Sequence, residues 1–210
     1  MHLHAAFIPP ASVRQALFDL LTAQEPVPQP PVAVETPRGL FRRKGTPEPE
    51  EEVPTGPLLD LVPVDSLVLP ITDFGYLNAE DARRLGDAVE RACAELPRGP
   101  SVRVSGGSAL IDPDDRSVWA ELEVTDDDLA ALRTIARTVV SSVEPLGFFC
   151  DRRRFRPRLA VATINDATTV EHLEQVLGAL SDYQSAPWKM AEVDILQRGA
   201  GVWRTVMVGG

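Results

Sequence analysis

The sequence predicts an α+β fold with two lobes and mostly antiparallel sheets. Strand-like and helix-like apolar periods are mixed along the 210 residues, and two pairs of strand-like segments are separated only by short turn sequences. These turns lie at residues 112–115 and 198–201. Because a parallel pair needs a long crossover connection, the short turns favour antiparallel hairpins.

Seven segments rich in β-branched and aliphatic residues predict the strands. They cover residues 3–8, 66–72, 102–111, 117–124, 159–164, 190–197 and 202–208.

Four segments with apolar residues every three or four positions predict helices. The first begins at Pro10, which suits a helix start, and continues to about residue 23. The second is capped by Asn78, the third by Thr125, and the fourth, which continues to residue 180, by Thr168 or Thr169.

Residues 25–57 form a Pro- and Glu-rich stretch with nine of the chain's 19 prolines. Such a composition buries too little apolar surface to offset the entropy lost on ordering, so we predict a disordered insertion within a single domain of residues 1–210. Leu40 and Phe41 are its candidate docking point for a protein partner. The alternative is a solvated linker in which these two apolar residues have no role.

The charge balance restricts the partners. Twenty-one basic and 31 acidic residues give a formal net charge of −10, which disfavours binding to duplex DNA. No apolar run approaches the roughly 18 residues of a membrane span, and the N-terminus lacks the features of a signal peptide. We therefore expect a cytoplasmic protein without membrane contact. The spacing of Cys93 and Cys150 indicates neither a disulfide framework nor a zinc site, and we expect no cofactor.

Four short strings in order resemble the 2H phosphoesterase superfamily, also called LigT-like or 2′-5′ RNA ligase-like proteins. Residues 4–10 are similar to the family's first strand and its entry into the first helix, and residues 66–75 lie where its first motif occurs. Residues 154–162 lie at the second motif, and residues 188–196 resemble the closing strand. The resemblance implies a bilobal fold of two mostly antiparallel sheets flanked by helices.

The resemblance also implies where catalysis would occur. Family members act on 2′,3′-cyclic or 2′-5′ phosphodiesters with two His-x-Thr/Ser motifs, one from each lobe. Here the first motif reads Val68-Leu69-Pro70 and the second reads Arg158-Leu159-Ala160. Valine and alanine cannot transfer protons, and arginine stays charged at any working pH. We therefore predict no catalytic residue at the degenerate positions Val68, Pro70, Arg158 and Ala160.

Five arginines lie within residues 152–158. Strand alternation places Arg154, Arg156 and Arg158 on one face, which would be the face of the cleft. Because guanidinium groups bind phosphate with two parallel hydrogen bonds, these residues could form an anion site, with Thr72 adding a hydroxyl group. The alternative is a set of surface ion pairs with the acidic runs at residues 112–115 and 126–128.

The three histidines do not restore the family motifs. His172 is expected at the surface of the fourth helix. His2 and His4 share a strand face, but no third metal ligand is evident, so we predict no metal site.

Two functions stay open on this evidence. The first is a catalytically degenerate protein that acts as a non-enzymatic binding or structural component of a larger protein assembly, with a possible phosphate or nucleotide ligand. The second is a phosphodiesterase that uses residues other than the family's. The missing proton-transfer groups favour the first.

Overall fold

The computed structural model describes residues 1–26, 56–112, 115–151 and 155–209. The described helices are α1 (Ala11–Thr22), α2 (Ala79–Ala94), α3 (Asp126–Val143) and α4 (Val170–Asp182). The described strands are β1 (His2–Phe7), β2 (Leu59–Leu61), β3 (Leu69–Tyr76), β4 (Ser101–Asp112), β5 (Asp115–Glu123), β6 (Arg158–Ile164), β7 (Trp188–Lys189), β8 (Glu192–Gln197) and β9 (Gly201–Met207). Short 3-10 helices cover Val64–Ser66 and Glu144–Leu146.

The strands form two sheets. One has the order β3-β1-β8-β9 and the other β2-β6-β5-β4-β7, and neighbouring strands are antiparallel in both. The predicted α+β class with mostly antiparallel sheets is therefore confirmed. The sequence did not reveal β2 and β7, because segments of three and two residues are too short for a period to show.

Side-chain caps explain where three of the helices begin. The Asn78 side chain accepts hydrogen bonds from the Glu80 and Asp81 amides, and Thr125 caps α3 through the Asp128 amide. Thr169, rather than Thr168, caps α4. None of the helices in the described parts of the chain is long and apolar enough to cross a membrane.

The apolar faces of helices and sheets pack into one core. On β1, Leu3, Ala5 and Phe7 are fully buried, because the strand lies inside its sheet. At a bulge in β4, Gly107 lies against α4: a Cβ atom there would come within 2.7 Å of the Leu180 side chain. Glycine therefore permits the close approach of α4 to β4.

The strand predicted at residues 66–72 is displaced in the structure. A 3-10 helix at Val64–Ser66 occupies its predicted start, and β3 continues to Tyr76, where it pairs with His2 of β1. Gly75 has a φ of +70°, a backbone conformation that residues with a Cβ atom rarely adopt. The pairing of β3 with β1 nevertheless continues through it. Pairing with β1 therefore extends β3 beyond the predicted end at residue 72.

The ends of the predicted insertion are tied to the body. The Glu25 carboxylate accepts hydrogen bonds from the Leu58 amide at 2.9 Å and the Leu59 amide at 3.2 Å. It also lies 3.2 Å from Nε2 of His172. The predicted disorder therefore does not begin at Glu25, and the disorder predicted for residues 27–55, with Leu40 and Phe41, lies outside the described residues.

The surface position expected for His172 is wrong. The residue is only 5% exposed, because its ring packs against the carboxylate of Glu25, far away in sequence. Sequence position in the first turn of α4 gave no sign of this long-range partner.

Replacing Glu25 with alanine should lower the free energy of unfolding by about 2 kcal/mol, because two backbone amides lose a charged acceptor. Urea denaturation followed by circular dichroism measures the change. Glu174→Ala, an exposed site on α4, is the matched control and should change stability by less than about 0.5 kcal/mol. Equal effects of the two substitutions would show that the Glu25 contacts contribute nothing specific.

Candidate functional site

A cavity of about 650 Å³ lies where the two sheets meet. It takes residues from β1, β3 and the β8–β9 turn of one sheet and from β5 and β6 of the other. The lining residues are His4, Val68, Pro70, Ile71, Thr72, Asp73, Trp119, Asp151, Phe155, Arg156, Arg158 and Arg198. We call this cavity the cleft.

Three of the four degenerate motif positions line the cleft. Val68 directly precedes β3, Pro70 is the second residue of β3, and Arg158 is the first residue of β6. Ala160 is half-buried opposite Trp119 of β5 but is not a lining residue. Segments that are distant in the sequence therefore meet at one cavity, as the resemblance implies.

Arg158 and Trp119 form one side of the cleft. The guanidinium carbon of Arg158 lies 4.0 Å from the centre of the Trp119 ring, a cation–π contact. Nε of Arg158 and Nε1 of Trp119 are both buried, and no residue in the described ranges accepts a hydrogen bond from either. Buried donors without acceptors cost free energy. This side of the cleft therefore carries two buried donors that no described residue satisfies.

The two described arginines of the predicted anion site differ in exposure. Arg156 is exposed and Arg158 is half-buried, and both line the cleft. Within the described parts of the chain, neither makes an ion pair. The alternative of surface pairs with residues 126–128 therefore has no support there. Arg154 lies outside the described residues.

Thr72 lines the cleft but does not offer the hydroxyl proton predicted for it. The residue is buried, and its Oγ1 donates a hydrogen bond to the Asp151 carbonyl at 2.8 Å. A hydroxyl group has one proton, so this bond uses the only donor. Thr72 therefore has no hydroxyl proton free for an anion. Its bond joins β3 to the loop that precedes β6.

A polar group that the sequence did not reveal lies on the opposite side. His4 and Asp73 are paired across β1 and β3, and Arg198 follows β8; all three line the cleft. Nη2 of Arg198 lies 3.8 Å from Oδ2 of Asp73, and the Gly75 amide donates to Oδ1 at 2.7 Å. Only the strand register brings these residues together, so no sequence spacing could have shown it.

The environment of His4 lowers the pKa of its imidazole below 6.5. Burial is the main cause, because it disfavours the charged form. The carboxylate of Asp73 acts in the opposite direction, and the positive charge of Arg198 lowers the pKa further. His4 is therefore mostly neutral at pH 7.

The histidines of β1 lie close to Asp73. Nε2 of His2 lies 3.4 Å from Oδ1 of Asp73. Nevertheless, no group of three or more His, Cys, Asp or Glu residues that could hold a metal ion occurs among the residues that the structure describes. Cys93 is buried, which raises the pKa of its thiol to about 11 and makes it unreactive.

Solved structures share this architecture along the whole chain. The Thermus thermophilus protein TT0787 is 18% identical, with a TM-score of 0.60 over 100% of this chain and 99% of its own. E. coli LigT in complex with NADP⁺ is 16% identical, with a TM-score of 0.60 over 100% and 98%. A further structure, described as a phosphoesterase, gives 16% identity and a TM-score of 0.58 over 100% and 98%.

These similarities define the class of fold. The chain has the bilobal α+β fold of the LigT-like 2H phosphoesterases, and the predicted resemblance is confirmed at that level. No protein-family model matches the sequence, and no curated protein matches it. At identities of 14–18%, the structural similarity shows the fold and does not show the activity.

Substitutions around His4 should move its pKa in opposite directions. Asp73→Asn removes a stabilising negative charge and should lower the pKa, whereas Arg198→Ala removes a positive charge and should raise it. A pH titration of the imidazole signals by NMR measures both. Asp65→Asn, whose carboxylate pairs with Arg14, is the control and should leave the His4 pKa unchanged. Shifts of the same sign in both variants would contradict the described cluster.

Proposed function

We propose that the cleft binds a small phosphate-bearing ligand and that the protein is a non-enzymatic binding component. The half-buried Arg158 carries this proposal, because it lines the cleft and makes no ion pair with a described residue. An anion in the cleft would supply the opposite charge.

The surrounding charges support an anion. Arg156, Arg158 and Arg198 all line the cleft, and of these three only Arg198 makes an ion pair with a described residue. Guanidinium groups present paired donors that match two phosphate oxygens. The protein's overall charge of −10 opposes long-range attraction of anions, so recognition would depend on these close contacts.

The ligands of one structural neighbour are consistent with this proposal. E. coli LigT has been crystallised with phosphate, 3′-AMP, ATP and NADP⁺. All four carry phosphate groups, so the same fold accommodates phosphate compounds of very different size.

The proposed lack of catalysis follows from the side chains at the motif positions. Val68 and Pro70 have no group that exchanges a proton, and the guanidinium of Arg158 is always charged. In the described part of the cleft, His4 is the one imidazole among the lining residues. A pair of imidazoles that protonates and deprotonates the two ester oxygens is therefore not available there. A protein partner that docks at Leu40 and Phe41, and a place in a larger assembly, stay predictions.

Phosphate should stabilise the protein more than chloride does at the same ionic strength. Ligand at a hundredfold excess over its Kd stabilises the folded state by about 2.7 kcal/mol, which raises the Tm of a chain of this size by roughly 5 to 10 °C. Differential scanning fluorimetry measures the shift. Arg158→Gln should abolish it, and Arg103→Gln, which removes an exposed arginine paired with Glu123, should retain it. Identical curves in phosphate and chloride would rule out the proposed anion site.

The purified protein should not hydrolyse 2′,3′-cyclic nucleotides or 2′-5′ oligoadenylate. Loss of one acid–base group typically reduces a rate by about two to four orders of magnitude, and here both motif histidines are absent. Chromatographic separation of substrate and product measures the rate. Turnover that persists through purification and is lost in Arg158→Ala or His4→Ala would instead support the phosphodiesterase alternative.

A further inference from the structure

Two opposite charges are direct neighbours beside the cleft but do not pair. Glu121 of β5 lies opposite Arg158 of β6 in the strand ladder, so both side chains stand on the same face of the sheet. Cross-strand neighbours of opposite charge attract each other and stabilise a sheet when they pair. No ion pair nevertheless joins these two described residues. Other contacts therefore keep the two charges apart.

A different neighbour holds each of the two side chains. The Ser108 hydroxyl of β4 donates a hydrogen bond to Oε1 of Glu121 at 2.5 Å. Strand β4 lies on the far side of β5 from β6, so this bond draws the carboxylate away from Arg158. The guanidinium of Arg158 instead stacks on the Trp119 ring, with its carbon 4.0 Å from the ring centre.

The position of the Glu121 carboxylate affects what Arg158 can bind. Arg158 lines the cleft, whereas Glu121 is not one of its lining residues. A carboxylate that paired with Arg158 would occupy donors of the guanidinium and cancel its charge. Because both residues are half-buried, solvent and salt would screen such a pair less than one on the open surface. This internal pair would therefore compete directly with an anion in the cleft.

We infer that Ser108 is a positioning residue for the anion site, because it holds Glu121 away from Arg158 and so leaves the guanidinium to the ligand. Neither Ser108 nor Glu121 touches the ligand in this arrangement. Glu121 is the internal competitor, and the Ser108 hydroxyl is the group that restrains it. The inference rests on the proposed anion-binding function and adds a determinant of its affinity.

Isothermal titration calorimetry of the full chain with inorganic phosphate tests the inference, with sodium chloride keeping the ionic strength constant. Ser108→Ala removes the hydroxyl and frees the carboxylate to pair with Arg158. We expect it to weaken phosphate binding by about two- to fivefold, which is the range that a partly exposed ion pair is worth. Glu121→Gln removes the competing charge and should strengthen phosphate binding by about twofold or more.

The double variant separates positioning from structural damage. If Ser108 acts through Glu121, then Ser108→Ala introduced into the Glu121→Gln protein should change the phosphate affinity by less than about 1.5-fold. Phosphate binding by this double variant also reports that alanine at position 108 leaves the site folded. Glu123→Gln is the matched control, because Glu123 lies two residues further along β5 and pairs with Arg103. It should leave the phosphate affinity unchanged.

Each outcome has a distinct meaning. Wild-type affinity of the Ser108→Ala protein overturns the inference and leaves the anion site intact. An equal loss in the presence and absence of the Glu121 carboxylate also overturns it, because Ser108 would then act on the site without Glu121. Unchanged or weaker binding by Glu121→Gln overturns it even where Ser108→Ala does not fold. Absence of phosphate binding by the wild-type protein overturns the proposed function together with the inference.

Discussion

The antiparallel pairing of β1 with two partners organises the site. This strand, at the start of the sequence, lies between β3 and β8. Its ladders set His4 opposite Asp73 on one side and opposite Leu196, two residues before Arg198, on the other. Strand register fixes which side chains share a face. A slip by one residue would therefore separate His4 from Asp73 and turn the apolar face of β1 away from the core.

The side of the cleft formed by Arg158 and Trp119 depends on the balance between the desolvation cost of a charge and a cation–π contact. Desolvating a guanidinium group is costly, and the Trp119 ring offsets only part of that cost through its π-electrons. The unsatisfied Nε of Arg158 therefore makes the protein less stable than packing alone would allow. Local conflicts of this kind are typical of functional or strained sites.

The sequence was informative wherever the signal was local. Helix caps at Asn78 and Thr125 act within three residues, so α2 and α3 could be placed before the structure was known. The family resemblance located Val68, Pro70 and Arg158, because those positions follow from motif order. The cluster of Asp73 and Arg198, and the contact of Glu25 with His172, depend on pairings between residues far apart in the chain. No period or spacing encodes such contacts, and Thr72 was misjudged because its acceptor is a backbone carbonyl of a loop.

The contacts of Glu25 have a consequence for the architecture of the chain. Its carboxylate accepts hydrogen bonds from the Leu58 and Leu59 amides, so the two described ends on either side of residues 27–55 lie next to each other. The side chains of Asn165 and Thr168 donate hydrogen bonds to the Pro57 and Leu58 carbonyls. This junction, formed by Glu25 and residues 57–59, is therefore held by other residues of the domain. A junction of this kind tolerates exchange of the intervening segment, because loop-closure entropy varies slowly with length. It is thus a point at which a protein engineer can try the insertion of a foreign domain.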